Sequence, residues 1–165
     1  MNNTPKYLTL LEDKPKCRAV LSAIDSFLVC IFSVLFVLFV IGVAVGSSVT
    51  EGLVLLAISA TSFLVVSVFR RLFNAPRPKQ VYPTLKNVPD KEGRSMPSRH
   101  VFCAALISAL LPGYAPTLGI IMLVFALCMG ACRVLRGLHF LRDVIAGCIC
   151  GVVSGLIGSL IIHLM

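Results

Sequence analysis

Charge is scarce in this 165-residue chain. Only 13% of residues are charged and only seven are acidic, while 58% are hydrophobic. A soluble domain carries about 25% charged and about 45–50% apolar residues, so the shortfall argues against an ordinary soluble fold. The apolar excess sits in long uncharged runs, and a run of about 20 apolar residues is what a bilayer requires. A basic tract interleaved with aromatics is also missing. The net charge of +8 therefore points to anionic lipid and membrane topology, with no nucleic-acid partner expected.

The seven cysteines lack a paired spacing. Cys30, Cys103, Cys128, Cys148 and Cys150 lie inside apolar runs, where thiols behave as small hydrophobes. Cys148-x-Cys150 has no second pair at zinc-site distance, so neither a metal nor a disulfide is expected. A cleavable leader is not expected either. The apolar run 27–45 exceeds a usual leader core and follows a mixed segment, although Ala44-Val45-Gly46 mimics a cleavage site.

What is present is a series of apolar runs. Membrane helices are expected over 26–46, 52–69, 98–111, 117–132 and 141–164, the third of them short for a span. In the N-terminal segment 1–25, Cys17, Val20, Leu21 and Ile24 follow Pro15 at the spacing of one helix face. That pattern fits a short interfacial helix, and equally a plain lead-in to the first span. The expected fold is a single all-α membrane domain over 1–165, with about five transmembrane helices plus the interfacial segment. Gly147, Gly151 and Gly155, like Gly42 and Gly46, recur every four residues. Such small-residue faces let helices approach closely inside a bundle, or between two copies in a homodimer.

Three polar clusters adjoin the ends of these runs. Arg70 to Pro78 follows the second run, Pro97-Ser98-Arg99-His100 opens the third, and Arg133, His139 and Asp143 lie between the fourth and fifth. Tracing the helices back and forth across the membrane brings all three to one side. Arginines without matching acids make an anion pocket, because the planar guanidinium fits phosphate oxygens. Ser98 can cap the third helix, whose free N–H groups also favour an anion. His139 and Asp143 are four apart, so on one helical turn they share a face. Asp143 can then accept the Nδ1 proton of His139 and leave Nε2 as a nucleophile. His100 remains to protonate the leaving oxygen. His163, alone near the C-terminus, is read as structural. The long polar stretch 70–97 holds Lys79, Lys86, Lys91 and Arg94, which can recruit an anionic head group or simply be solvated.

The ordered series Arg70-x6-Arg77-Pro78, Pro97-Ser98-Arg99-His100 and Cys132-Arg133-x5-His139-x3-Asp143 resembles the type 2 phosphatidic acid phosphatase superfamily, which includes the vanadium haloperoxidases. The family pattern is K-x6-R-P, P-S-G-H and S-R-x5-H-x3-D, and the resemblance covers roughly residues 52–160. It implies catalytic roles for His139, His100 and Asp143: His139 forms a phosphohistidine, Asp143 orients it, and His100 serves the leaving group and then the hydrolytic water. It implies that Arg70, Arg77, Ser98 and Arg133 hold phosphate oxygens, with no metal and no cofactor. Arg70 stands for lysine and Cys132 for serine. Arg99 stands for glycine and can add a phosphate contact of its own. The chain is also one helix short of the family's common six, the missing one being the first.

The resemblance implies hydrolysis of a lipid phosphate or diphosphate, of the phosphatidic acid, phosphatidylglycerophosphate or polyprenyl class. Two readings compete: transfer of the phosphoryl group to another acceptor, and a non-catalytic binder of anionic lipid. A vanadate oxidant role is weaker, because those relatives are soluble. The expected location is a bacterial plasma membrane. All 15 Lys and Arg fall on the side of the N-terminus, the 70–97 stretch and the 133–142 region. The excess of Lys and Arg marks the cytoplasmic side, so the site is expected to face the cytoplasm.

Overall fold

The computed structural model describes residues 4–11 and 13–165, and every described element is helical. A four-residue helix α1 (Lys6–Thr9) precedes α2 (Pro15–Gly46). Proline at the first turn of α2 suits a position whose N–H has no intrahelical partner. α2 runs unbroken through 32 residues, about 48 Å of helix against a hydrocarbon core of about 30 Å. The segment read as a separate interfacial helix after Pro15 is therefore the first part of α2, and that part projects beyond the apolar layer.

α3 (Val49–Phe73) begins where Ser48 Oγ accepts the Glu51 N–H at 3.1 Å, and ends at Asn74 in the left-handed conformation. A single turn, α4 (Pro78–Val81), interrupts the polar stretch that follows. α5 (Arg99–Leu110) passes through a 3₁₀ turn, Leu111–Gly113, into α6 (Pro116–Leu135). α7 (Leu141–His163) closes the described chain. Four segments are long and apolar enough to cross a membrane, namely Pro15–Gly46, Val49–Val81, Pro116–Leu135 and Leu141–His163, and the apolar helix Arg99–Gly113 is shorter.

α5 is the centre of the bundle. Val101, Phe102, Ala104, Ala105, Leu106 and Leu110 are all buried, as expected of a helix apolar on every side. Around it, Phe27, Val34 and Leu38 of α2, Leu64 of α3, Leu127 of α6 and Leu156 of α7 point outward, apolar surface that suits lipid. α5 packs most extensively on α7, through the glycine face of α7. A Cβ on Gly147 would lie 2.6 Å from Ser98 O, one on Gly151 2.4 Å from Phe102 O, and one on Gly155 2.6 Å from Ala109 Cβ. This stripe is occupied inside the chain. Gly42 and Gly46 of α2 have nothing within 4 Å of such a Cβ.

The short length of α5 sets the position of the polar residues. About 18 Å of helix cannot cross the layer that the outer helices span. Its N-terminus is therefore recessed among the ends of α2, α3, α6 and α7. At the opposite end of the bundle the Tyr114 hydroxyl donates to Glu51 at 3.2 Å, beside Gly113 and His163.

Candidate active site

The three clusters converge at the recessed N-terminus of α5. Ser98 is fully buried and occupies the N-cap position, but its side chain makes no capping bond, contrary to the sequence expectation. Its backbone N–H instead donates to Asp143 O at 2.8 Å, which locks the start of α5 onto α7. The Ser98 hydroxyl is left buried and unpartnered among the described residues. It stands beside the first N–H groups of α5, which helix geometry leaves without intrahelical acceptors.

His139 follows a turn at Gly137, whose φ of +70° is readily adopted only by glycine. The imidazole is buried. Its Nδ1 lies 3.7 Å from Asp143 Oδ2, beyond hydrogen-bond reach, and 3.3 Å from Ser95 Oγ. Ser95 Oγ in turn donates to Asp143 Oδ2 at 2.5 Å. Asp143 Oδ2 also accepts the Phe140 N–H at 3.0 Å, so one carboxylate caps α7 and anchors the serine. A hydroxyl has one proton to give. With that proton on Asp143, Ser95 can only accept from the ring. Nδ1 must then carry the imidazole proton and Nε2 the free lone pair. Burial pushes the His139 pKa below its ordinary value, while the Asp143 carboxylate pulls the other way. The ring is thus neutral near pH 7.

Arg133 reaches the site from the last turn of α6. One nitrogen of its guanidinium lies 3.0 Å from His100 Nδ1, and Nε pairs with Asp25 Oδ1 at 3.0 Å. Asp25 Oδ2 is also 2.7 Å from Arg136 Nη1. Arg77 donates to Gly93 O at 3.0 Å and to Leu138 O at 3.2 Å, tying the polar stretch to the His139 turn. Arg70 is buried, and its guanidinium donates to the carbonyls of Arg94, Ser95 and Pro97. It clamps the segment that presents Ser95 and Ser98. Arg99 is exposed, with its guanidinium 5.7 Å from the centroid of the Phe63 ring. Lys79, grouped with the loop cations, donates to Pro83 O at 2.9 Å and to Leu85 O and so braces the loop.

Two residues of this arrangement escape sequence reasoning. Asp25 lies one residue before the expected start of the first span, so its place among helix-borne arginines is hidden. An acid bordering a membrane run is nonetheless a signal in itself. Ser95 is an unremarkable serine in a polar loop, and no spacing rule marks it.

An apolar groove of about 420 Å³ descends from the site. Val29, Phe32, Phe36, Phe63, Cys103 and Met129 line it, with His100 and Arg99 at its polar end. A second cavity of about 240 Å³ shares Phe36, Phe63, Cys103 and Ile107 with it, and carries the apolar surface further between α3 and α5.

Comparison with known proteins bears on the family and the fold. Residues 51–164 match the family model described as the PAP2 superfamily. The crystal structure of LpxE from Aquifex aeolicus superposes with a TM-score of 0.68 at 22% identity, over 93% of this chain and 92% of that one. The transmembrane PAP2-type phosphatidylglycerolphosphate phosphatase of Bacillus subtilis gives a TM-score of 0.74 at 24% identity, over 97% of this chain and 83% of that one. Both likenesses lie in the fold. Nearly the whole Aquifex chain is matched, so length alone does not set the present chain apart from it. No curated protein sequence matches.

Proposed function

The chain belongs to the PAP2 superfamily, and from that premise we propose that it hydrolyses a phosphate ester or anhydride of a lipid through a phosphohistidine on His139. The observation that carries this reading is the Ser95 bridge. By accepting from Nδ1 and donating to Asp143, Ser95 leaves Nε2 as the lone-pair nitrogen of a buried, neutral ring.

In this mechanism Nε2 attacks phosphorus and the bond to the leaving oxygen breaks. His100 protonates that oxygen, and later takes a proton from the water that cleaves the phosphohistidine. The unpartnered Ser98 hydroxyl, the free N–H groups of α5, Arg77, Arg133 and the remaining N–H groups of Arg70 hold the phosphoryl oxygens. The groove supplies the reason for a lipid. Because His100 stands at its polar end, the leaving group is the part of the substrate that extends into apolar surface.

Trapping with a ³²P-labelled lipid phosphate, quenched in alkaline detergent, tests the proposal. The purified protein should form an acid-labile, base-stable phosphoenzyme, which His139→Ala abolishes together with phosphate release. Turnover should persist in EDTA, and vanadate should inhibit by mimicking five-coordinate phosphorus. Phosphate release at a near-normal rate from His139→Ala would overturn the mechanism.

A further inference from the structure

Asp25 has no part in the chemistry proposed so far, and it lies outside residues 51–164 that match the family model. Yet this acid is buried beside Arg133. Arg18, two turns earlier on α2, donates to Asn87 O at 2.6 Å and to Arg136 O at 3.3 Å. Val29, Phe32 and Phe36 follow Asp25 at the spacing of one helix face and wall the lipid groove. One face of α2 therefore carries both the groove wall and the acid.

The two partners of Asp25 do different things. Oδ2 accepts from Arg136 Nη1 at 2.7 Å, and together with the bonds of Arg18 this ties α2 to the α6–α7 connection. Oδ1 lies 3.0 Å from Arg133 Nε, and neither of these buried atoms has a well-aligned hydrogen-bond partner among the described residues. The contact is an ion pair in which each charge compensates the other. The anchoring of α2 is already served by Arg18 and Arg136, so it does not account for this pair.

Arg133 puts its nitrogens to separate uses. Nε faces Asp25 and Nη1 meets His100 Nδ1 at 3.0 Å, which leaves Nη2 for a phosphoryl oxygen. A guanidinium has no acceptor. Nδ1 of His100 must then be the lone-pair nitrogen, and the neutral ring carries its proton on Nε2. Without the carboxylate the guanidinium turns toward the nearest other anion, and His100 loses the bond that fixes its ring and tautomer. We infer, resting on the proposed hydrolysis, that Asp25 is a positioning residue, which holds Arg133 in the orientation that keeps His100 Nε2–H toward the leaving oxygen. Asp25 touches neither substrate nor reacting atoms and acts through Arg133.

The test measures kcat/KM of the full chain in detergent micelles on two alkyl esters, phosphatidic acid and dodecyl phosphate, and one aryl ester, para-nitrophenyl phosphate. The nitrophenolate leaves without a proton, so the alkyl esters alone depend on His100 as acid. Asp25→Asn keeps the shape and removes the charge. It should lower kcat/KM on the alkyl esters by about tenfold to a hundredfold, the scale of one charge-assisted hydrogen bond, and by about tenfold less on the aryl ester. Aryl turnover reports that each variant is folded. Asp25→Glu should recover part of the alkyl activity. Arg136→Gln removes the anchoring partner and should leave the alkyl-to-aryl ratio unchanged. Equal losses on both kinds of ester overturn the inference, since they mean folding or phosphate binding alone. So does a ratio that Arg136→Gln shifts as far as Asp25→Asn. If the wild type accepts only alkyl esters, equal losses there in Arg136→Gln and Asp25→Asn overturn it. Wild-type protein that releases phosphate from neither alkyl ester removes the proposed function itself, whereas the other failures leave it standing.

Discussion

The Ser95 hydroxyl lies 2.5 Å from Asp143 Oδ2, and through it the loop before α5 is joined to the first turn of α7. Asp143 stands too far from His139 Nδ1, at 3.7 Å, to orient the ring by itself. Ser95 therefore does part of the orienting that a directly bonded carboxylate performs in other triads.

Replacing Ser95 with Ala should lower kcat by about tenfold to a hundredfold with little change in KM. The loss corresponds to a hydrogen bond to a charged group, about 1.5–3 kcal/mol. Ser95→Thr keeps the hydroxyl and should retain most of the activity. Steady-state kinetics on one lipid phosphate decide the matter. A rise in KM with kcat intact would instead make Ser95 a binding residue.

The buried imidazole sets the pH dependence. In the proposed mechanism His139 attacks only when neutral, and burial holds its pKa below the ordinary ~6.5. The acid limb of phosphoenzyme formation should therefore lie below pH ~6.5, with the nucleophile fully competent above it. Asp143→Asn removes the carboxylate that favours the protonated ring, so it should move this limb to still lower pH while slowing the reaction severely. The sign for stability follows from linkage. In the window between the folded-state pKa and ~6.5 the unfolded chain binds the extra proton, so the folded state weakens as pH falls through it. Rapid-quench phosphoenzyme formation across acidic and neutral pH measures the limb; a midpoint above ~6.5 would contradict the burial argument.

The two glycine faces should respond in opposite ways. A methyl group on Gly151 meets Phe102 O at 2.4 Å and Ala105 Cβ at 2.8 Å, both on α5. Gly151→Ala should destabilise by about 1–3 kcal/mol, as overpacking does. Gly42→Ala meets nothing within 4 Å and should be neutral or slightly stabilising, since it removes backbone freedom from a helix. Thermal unfolding in detergent compares them. A strong penalty at Gly42 would mean that a second copy covers that face of α2.

How much of this was legible in the sequence depended on the range of the signal. The apolar runs gave the helices because hydropathy alone dictates a span. Boundaries failed where the polar and apolar criteria disagree: α2 starts at Pro15 because a helix continues through Lys16, Arg18 and Asp25 as readily as through leucine. The positions of His139, Asp143 and Ser98 were readable because helix periodicity and topology bring them together. Ser95 and Asp25 were not, since each acquires its meaning from partners 48 and 108 residues away, Asp143 and Arg133, whose approach only the packed bundle defines. The partners of Arg70 were hidden for the same reason. Its charge is visible in sequence, but the carbonyls it binds are not.

The last prediction concerns the side of the membrane that the site faces. The structure places Glu51, Gly113, Tyr114 and His163 together at the end opposite the site. None of the 15 Lys and Arg residues belongs to the segments that meet there. Four arginines are candidates for holding phosphate, a role that would account for their charge without any topological bias, so they are set aside first. Removing Arg70, Arg77, Arg99 and Arg133 leaves eleven cations at the site end and none at the other. The excess of Lys and Arg sets orientation toward the cytoplasm, so the site should open there. Single cysteines at Ser47 and Thr84, in a cysteine-free background, report the two ends. Ser47 is exposed and, unlike its neighbour Ser48, caps no helix, and Thr84 is exposed in the polar loop. An impermeant maleimide added to intact cells should label the cysteine at 47 and leave the one at 84 unlabelled until the cells are lysed. Labelling at 84 alone in intact cells would put the site on the outer face and show that charge bias does not orient this bundle.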